Sequence, residues 1–256
     1  MLNKDIKFRA IILAGGKGSR LGNLTKEIPK SLVDVNGKSI IQRQIETFLN
    51  NGIKEIIVIV GPHKEKFQLN DVEYVIDKNF HEHEQLSSLM AASKYFQNDI
   101  IISFGDVIVD DKIMNQVVES TNEFGIAVDL NWEKNYVNRD QHPKSEAENV
   151  LFDKEGNVLE IKKNIQKPDS KIGEYLGVMK LSRKNSKVFL DKYSELKISH
   201  QGKFHNAASL ESAYLTDMFQ ELIDSGIRIS PIYVSGKWCE IDTPQDLKNA
   251  QKIFEE

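Results

Sequence analysis

Three glycines, a hydroxyl and a guanidinium lie together in Leu13-Ala14-Gly15-Gly16-Lys17-Gly18-Ser19-Arg20-Leu21, and Pro29-Lys30-Ser31-Leu32 follows soon after. Without Cβ atoms in the way, backbone N–H groups can close on phosphate oxygens. Ser19 adds a donor and Arg20 a forked cation, while Lys30, fixed behind a proline at the end of a polar loop, carries a charge that can be aimed. The combination suits a triphosphate. A glycine cluster behind a strand can also be no more than a tight turn, and Arg20 with Pro29-Lys30 is what favours the phosphate. The spacing fits neither G-x-x-x-x-G-K-[ST] nor G-x-G-x-x-G, so a P-loop and a dinucleotide fingerprint are both set aside.

Carboxylates supply the second half of the chemistry. Asp106 follows the apolar run Ile100-Ile101-Ile102-Ser103-Phe104-Gly105, which places it at the carboxyl end of a strand. Asp242 stands in Trp238-Cys239-Glu240-Ile241-Asp242-Thr243-Pro244, just before a helix that Pro244 can start, so capping alone would explain it. Two such carboxylates would suit Mg²⁺, which prefers hard oxygen ligands and substrate phosphates, although sequence alone does not bring them together. His81 and His83, alternating with Glu82 and Glu84, read as polar surface rather than a transition-metal site. The acidic stretch Asp106-Val107-Ile108-Val109-Asp110-Asp111 is similar to motifs of nucleotide-sugar-dependent glycosyltransferases, but a glycine loop with Arg20 and Lys30 is foreign to them.

Positioning these groups requires an α/β framework. Branched apolar residues over 9–13 predict a buried parallel strand that ends where the glycines begin, the edge at which open α/β sheets bind ligands. An amphipathic helix over 40–50, ended by Asn51-Gly52, and a strand over 53–60, stopped by Gly61-Pro62, complete a βαβ unit. A strand over 72–76, a helix over 86–96 and a strand over 99–104 continue the parallel pattern. From 124 the chain changes character, with short strands over 126–130, 149–152, 158–161 and 177–181 and a hairpin turn at Asp153-Lys154-Glu155-Gly156-Asn157. This stretch reads as a substrate-facing excursion. A helix over 210–225, a strand over 227–234 and a helix over 244–254 close the chain.

With 256 residues, 40% of them hydrophobic, one large domain over 1–256 is the simplest organisation. A net charge of −4 gives no overall attraction to nucleic acid or anionic membrane, so an anionic ligand needs a local cluster of cations. The single cysteine, Cys239, excludes an intramolecular disulfide and a multi-cysteine zinc site. No apolar stretch approaches a membrane span and 1–8 is too polar for a secretory signal, so cytoplasm is the default expectation.

Taken together, the glycine loop, Pro29-Lys30-Ser31-Leu32, Gly105-Asp106 and the Trp238–Pro244 stretch resemble the sugar-phosphate type of nucleotidyltransferase over nearly the whole chain. Trp132, Tyr136, Arg139, Glu146-Ala147-Glu148-Asn149-Val150, Ile161-Lys162-Lys163 and Gly173-Glu174-Tyr175-Leu176-Gly177 narrow the resemblance to the phosphocholine and 2-aminoethylphosphonate cytidylyltransferases. Gly15 stands where many relatives carry a second alanine. The resemblance implies a three-layer, Rossmann-like (GT-A-like) α/β fold with a mixed, mainly parallel sheet and a small β excursion at about 124–181. It also implies that Leu13, Ala14, Gly15, Gly16, Gly18, Ser19, Gly105 and Asp106 surround the CTP phosphates, with Arg20 and Lys30 neutralising them.

On the same resemblance, Gln85 and Ser88 fall where relatives contact cytidine, and Asp106 and Asp242 hold Mg²⁺. Lys163, rather than Lys162, orients the phosphate or phosphonate of the acceptor. Glu146 and Glu174 face a cationic amine beside Trp132, Tyr136 and Trp238, whose rings are as suited to ordinary core as to cation–π contact, and Arg139 belongs to the same substrate-binding set. The expected reaction is in-line attack of an already ionised oxygen on the α-phosphorus of CTP with loss of pyrophosphate, which needs no general base. A sugar-1-phosphate nucleotidyltransferase and a catalytically silent nucleotide sensor remain as rivals. Neither nucleic acid nor membrane is an expected partner, and a homodimer stays open.

Overall fold

Branched apolar residues make the central strands, beginning with β1 (Arg9–Leu13), whose Ala10, Ile11 and Ile12 are fully buried. The computed structural model describes residues 8–16, 18–61, 63–167 and 170–255; Lys17 of the glycine loop and Pro62, expected to stop a strand, lie outside the described residues. Short 3₁₀ turns at Ser19–Thr25 and Lys30–Leu32 lead to the small β2 (Asp34–Val35) and β3 (Lys38–Ser39). Helix α1 (Ile40–Asn50) starts on Ser39, whose side chain accepts from the Gln42 N–H. Then come β4 (Glu55–Val60), β5 (Glu73–Ile76), α2 (Gln85–Met90), β6 (Ile100–Phe104), β7 (Val107–Val109) and α3 (Asp111–Glu119). The second half holds β8 (Phe124–Asp129), β9 (Glu148–Phe152), β10 (Val158–Lys163), β11 (Ile172–Leu181), α4 (Arg183–Ser199), α5 (Leu215–Asp224), β12 (Ser230–Tyr233), β13 (Trp238–Glu240) and α6 (Pro244–Ile253).

The main sheet runs β10-β9-β11-β6-β1-β4-β5, with β8 joining β11 to β12. Strands β6, β1, β4 and β5 are parallel neighbours, and β11 runs antiparallel to β6, β8 and β9. The sheet is therefore mixed, with the parallel block in the first half as the apolar runs imply. Leu13 pairs with Phe104, and the Gly105 N–H donates to Leu13 O at 3.0 Å. The glycine loop and Asp106 thus leave the sheet side by side. The second strand pair, β7 with β13, is antiparallel and sits beyond that edge.

Several elements differ from the expectations. Helix α4 was not anticipated because its buried face is thin: only Ser186, Phe189 and Leu196 are buried over seventeen residues, too few for a clear stripe. The helix expected over 86–96 stops at Met90 and gives way to a 3₁₀ turn at Ser93–Tyr95. The one expected from 210 starts at Leu215, since Ser209 and Ser212 bond to each other and the Tyr214 N–H donates to Asp217 Oδ2. Strand β11 begins five residues before the expected 177 and bends where its register against β8 shifts between Tyr175 and Met179. No helix among the described residues is long and apolar enough to cross a membrane.

Candidate active site

Pairing of β7 with β13 brings the two expected carboxylates together. Glu240 lies opposite Val107, and the Ile241 N–H donates to Asp106 O at 2.9 Å, so Asp106 and Asp242 flank the end of one small ladder. Lys30 Nζ bridges them, 2.6 Å from Asp106 Oδ2 and hydrogen-bonded to Asp242 Oδ1. Arg20 Nη2 reaches Asp242 Oδ2 at 2.7 Å. Burial alone would pull the Lys30 pKa down, but the charges of Asp106 and Asp242 outweigh it and hold the ammonium above the ordinary lysine range. Burial likewise opposes the charge on Asp242, and Lys30 overcomes it and holds the carboxyl below its usual range.

The glycine loop is built around this lysine. Gly18 adopts φ +62°, and a Cβ there would stand 2.9 Å from Lys30 Cβ, so only glycine suits both the turn and the packing. Its carbonyl accepts from Thr25 Oγ1 at 2.7 Å, and the Leu32 N–H closes the next turn on Pro29 O. A groove of about 970 Å³ runs past Gly16, Gly18, Ser19, Arg20, Lys30 and Asp242. An adjoining recess of about 500 Å³ is lined by Leu13, Gly15, Gly16, Phe80, Gln85, Ser88, Gly105 and Asp106. Ala14 is buried and borders a more apolar pocket with Gly15 and Gly16.

Asp246, fully buried in the first turn of α6, locks the carboxylate end. Its Oδ2 accepts from the backbone N–H groups of Asp242 and Thr243 and from Thr243 Oγ1, while Oδ1 accepts from Arg139 Nε at 2.6 Å. Burial works against its charge, yet His142 and Arg139 hold its carboxyl far below the ordinary range. Arg139 Nη2 also lies 3.0 Å from His142 Nδ1. The same ring nitrogen faces Asp242 Oδ2 at 3.5 Å and Asp246 Oδ2 at 3.6 Å, and Nε2 lies 3.5 Å from Glu240 Oε2. His142, Glu240 and Asp242 each offer a ligand atom within 4.8 Å of the others, but the Arg139 contact makes His142 Nδ1 a poor metal ligand. Cys239 is buried and its thiol is pushed up to about 12 by that burial, which leaves it inert.

Arg20, Asp106 and Asp242 also border a second cleft of about 670 Å³. Its walls carry Glu146, Glu148, Lys163, Glu174, Tyr175, Tyr214, Trp238 and Glu240. Burial first, then repulsion from Glu240, pushes the Glu148 carboxyl up to about 8. Glu240 keeps 27 % of its side chain open, yet desolvation within the cleft, followed by Asp242 and Asp106, pushes it up to about 8 as well. Burial drives Glu174 well above its range against the hydrogen bond from Tyr136. The cleft wants positive charge.

The expected acceptor residues divide between this cleft and the wall behind it. Glu146, Lys163, Glu174 and Trp238 line it, with Lys163 Nζ 2.9 Å from Glu146 Oε2 and Trp238 Nε1 donating to Asp129 Oδ2 at 2.9 Å. Lys162 instead pairs with Glu160. Trp132, Tyr136 and Arg139 are buried behind the wall, and the two rings already face the protein's own cations: Lys144 Nζ lies 5.9 Å from the Trp132 centroid and the Arg139 guanidinium 4.8 Å from that of Tyr136. Direct cation–π contact between an acceptor and these two rings is therefore replaced by a supporting role. Trp132 Nε1 donates to Ile172 O, and Tyr136 OH donates to Glu174 Oε1. His83 also departs from a solvated surface, since its Nε2 lies 2.8 Å from Asp77 Oδ2 at the rim of the recess.

Sequence reasoning missed Phe80, His142 and Tyr214 as lining residues, and quoted Glu148, Tyr175 and Glu240 only as parts of motifs. Glu240 had a readable signal, ending β13 only two residues before Asp242. Phe80 and His142 sit in irregular connections and carried none.

Comparison with known proteins places this geometry in context. The family described as the MobA-like NTP transferase domain matches residues 10–143. The CTP:phosphoglutamine cytidylyltransferase of Campylobacter jejuni subsp. jejuni serotype O:2 is 29% identical over 250 residues, covering 93% of this chain and 97% of that protein. The bifunctional protein GlmU of Methanococcus maripaludis is 28% identical over 265 residues, covering 96% of this chain, which spans only 54% of that longer protein. Among solved structures, the CTP:phosphocholine cytidylyltransferase from Streptococcus pneumoniae superposes with a TM-score of 0.74 at 23% identity, covering 97% of this chain and 100% of that one, so the fold is shared.

Proposed function

The chain belongs to the MobA-like NTP transferase domain family and is a nucleotidyltransferase, and from that premise we propose that it moves CMP from CTP to a small amine-bearing phosphate or phosphonate, releasing pyrophosphate. The observation that carries the reading is the neck formed by Arg20, Asp106 and Asp242, which border both the phosphate side and an acidic second cleft. A triphosphate laid along the glycine loop presents its α-phosphorus at that neck. The similarity to a CTP-dependent relative over nearly the full chain supports CTP as the donor.

In this account an acceptor oxygen, already ionised near neutral pH, attacks the α-phosphorus in line, forming one P–O bond as the bond to the β-phosphate bridge breaks. Arg20 and the loop N–H groups hold the departing pyrophosphate, Lys30 sits beside the reacting phosphate, and Lys163 turns from Glu146 to orient the incoming anion. Asp106 and Asp242 fit a magnesium ion, since both are hard oxygen donors converging on one cation and Asp106 Oδ1 is buried without a partner among the described residues. When bound, that ion supplies positive charge to the phosphate oxygens. The uncharged hexose of a sugar phosphate would bring no cation to Glu148, Glu174 and Glu240, which disfavours the sugar-phosphate reading.

Pyrophosphate release with Mg²⁺ tests this directly, pairing CTP, UTP and ATP with 2-aminoethylphosphonate, O-phosphoethanolamine, phosphocholine and glucose-1-phosphate. Turnover is expected with CTP and an amine-bearing acceptor; turnover confined to glucose-1-phosphate would overturn the acceptor class, and a preference for UTP or ATP the base.

A further inference from the structure

Glu174 is 3 % exposed and Tyr175 is 4 % exposed, yet Glu174 Oε2 and Tyr175 OH have no hydrogen-bond partner among the described residues. Both residues line the second cleft. Glu174 and Tyr175 pair in regular register with Asp129 and Val128, β11 shifts register only beyond Tyr175, and Tyr175, Leu176 and Gly177 all border the cleft that Glu174 lines. Tyr136 holds one oxygen of Glu174, fixing the carboxylate and leaving the other oxygen unmet. Buried polar atoms without partners are rare and costly, so a pair of them on one cleft marks where a ligand completes the bonding.

Two of the cleft's aromatic rings are already engaged by the protein itself. Lys163 Nζ lies 5.9 Å from the Tyr214 centroid and the Tyr175 ring packs edge-on against Phe104 and Phe219, while Trp238 is oriented by its Nε1 donating to Asp129. A quaternary ammonium is recognised mainly by ring faces and cannot donate a hydrogen bond. An ammonium bearing N–H bonds can serve the carboxylate and the phenol oxygen together.

We infer that the cleft selects acceptors whose cationic nitrogen still carries hydrogens, and that Glu174 and Tyr175 impose this choice. The inference rests on the amine-acceptor reading above and narrows it. N-methylation of the acceptor then removes donors one at a time and leaves Glu174 Oε2 and Tyr175 OH progressively unmet.

The test is kcat/KM for O-phosphoethanolamine, its N-methyl and N,N-dimethyl derivatives and phosphocholine, at fixed CTP and Mg²⁺. The value is expected to fall along the series, with phosphocholine about ten- to a hundredfold below O-phosphoethanolamine. In Tyr175→Phe, which loses no protein hydrogen bond and should remain as stable as the wild type, that ratio is expected to shrink while the KM for CTP stays unchanged. Glu174→Gln, which keeps the shape and removes the charge, is expected to lower the whole series. Phosphocholine used as well as O-phosphoethanolamine would overturn the inference and leave the amine reading intact, and an unchanged ratio in Tyr175→Phe would overturn the assignment to that residue. Silence with all four amines alongside turnover of glucose-1-phosphate would overturn the amine reading and this inference with it.

Discussion

Lys30 is the residue on which the account turns, because without ligands it neutralises the two carboxylates that would otherwise repel one another. Asp106, Asp242 and Arg20 then form a closed charge cluster poised to open toward phosphate. Truncating the lysine removes the cation beside the reacting phosphate, an interaction of the kind worth about two to three powers of ten in kcat. Lys30→Ala is accordingly expected to lose at least that much kcat in pyrophosphate release, and far more than Lys17→Ala; equal and mild losses would contradict the role. The same variant leaves Asp106 and Asp242 facing each other, so Mg²⁺ should raise its melting temperature more than that of the wild type. A differential scanning experiment with and without the ion reads this out.

At the scale of elements, the small β7–β13 ladder and the start of α6 do the positioning. Asp246 joins them by binding the backbone before α6 and the Arg139 side chain, so Asp246→Asn takes the nearest carboxylate from a buried guanidinium, leaving it Glu240 at 3.8 Å, and is expected to cost about 3 kcal/mol in urea unfolding at pH 7. The folded carboxyl lies below its unfolded value, near 3.9, so its stabilisation is complete above that value and fades as pH falls through the folded one. The gap between variant and wild type should therefore narrow below about pH 4; a gap that widened there would contradict the arrangement. In β11, Gly177 holds φ +66°, where a Cβ would stand 2.7 Å from the Phe104 ring. Gly177→Ala is expected to cost at least about 1–2 kcal/mol and to raise the KM for acceptor more than that for CTP.

These elements also explain what could be read from sequence. The glycine loop, Lys30 and Asp106 were legible because each is set by its own neighbours in the chain: apolar runs that end at glycine, and a proline before the lysine. The parallel strands were legible for the same reason. The meeting of Asp106 with Asp242 was not, since it depends on a three-residue ladder between segments far apart in sequence. The lining of the second cleft depends on a register shift in β11, and the burial of Trp132, Tyr136 and Arg139 on what packs over them, neither of which leaves a local pattern.

For the molecule as a whole, the sheet gathers a glycine-loop groove and an acidic cleft at one edge of a chain whose net charge is −4. Under the proposed function, long-range steering of CTP is weak, and affinity comes from Arg20, Lys30, the loop N–H groups and the metal acting at short range. The central claim is that the phosphorus of the acceptor becomes bonded through oxygen to the α-phosphorus of CTP. Following CTP, Mg²⁺ and O-phosphoethanolamine with the enzyme by ³¹P NMR tests it most directly. The account predicts a new pair of coupled diphosphate resonances growing in step with one equivalent of pyrophosphate, and an unchanged acceptor signal beside CTP hydrolysed to CMP would contradict it.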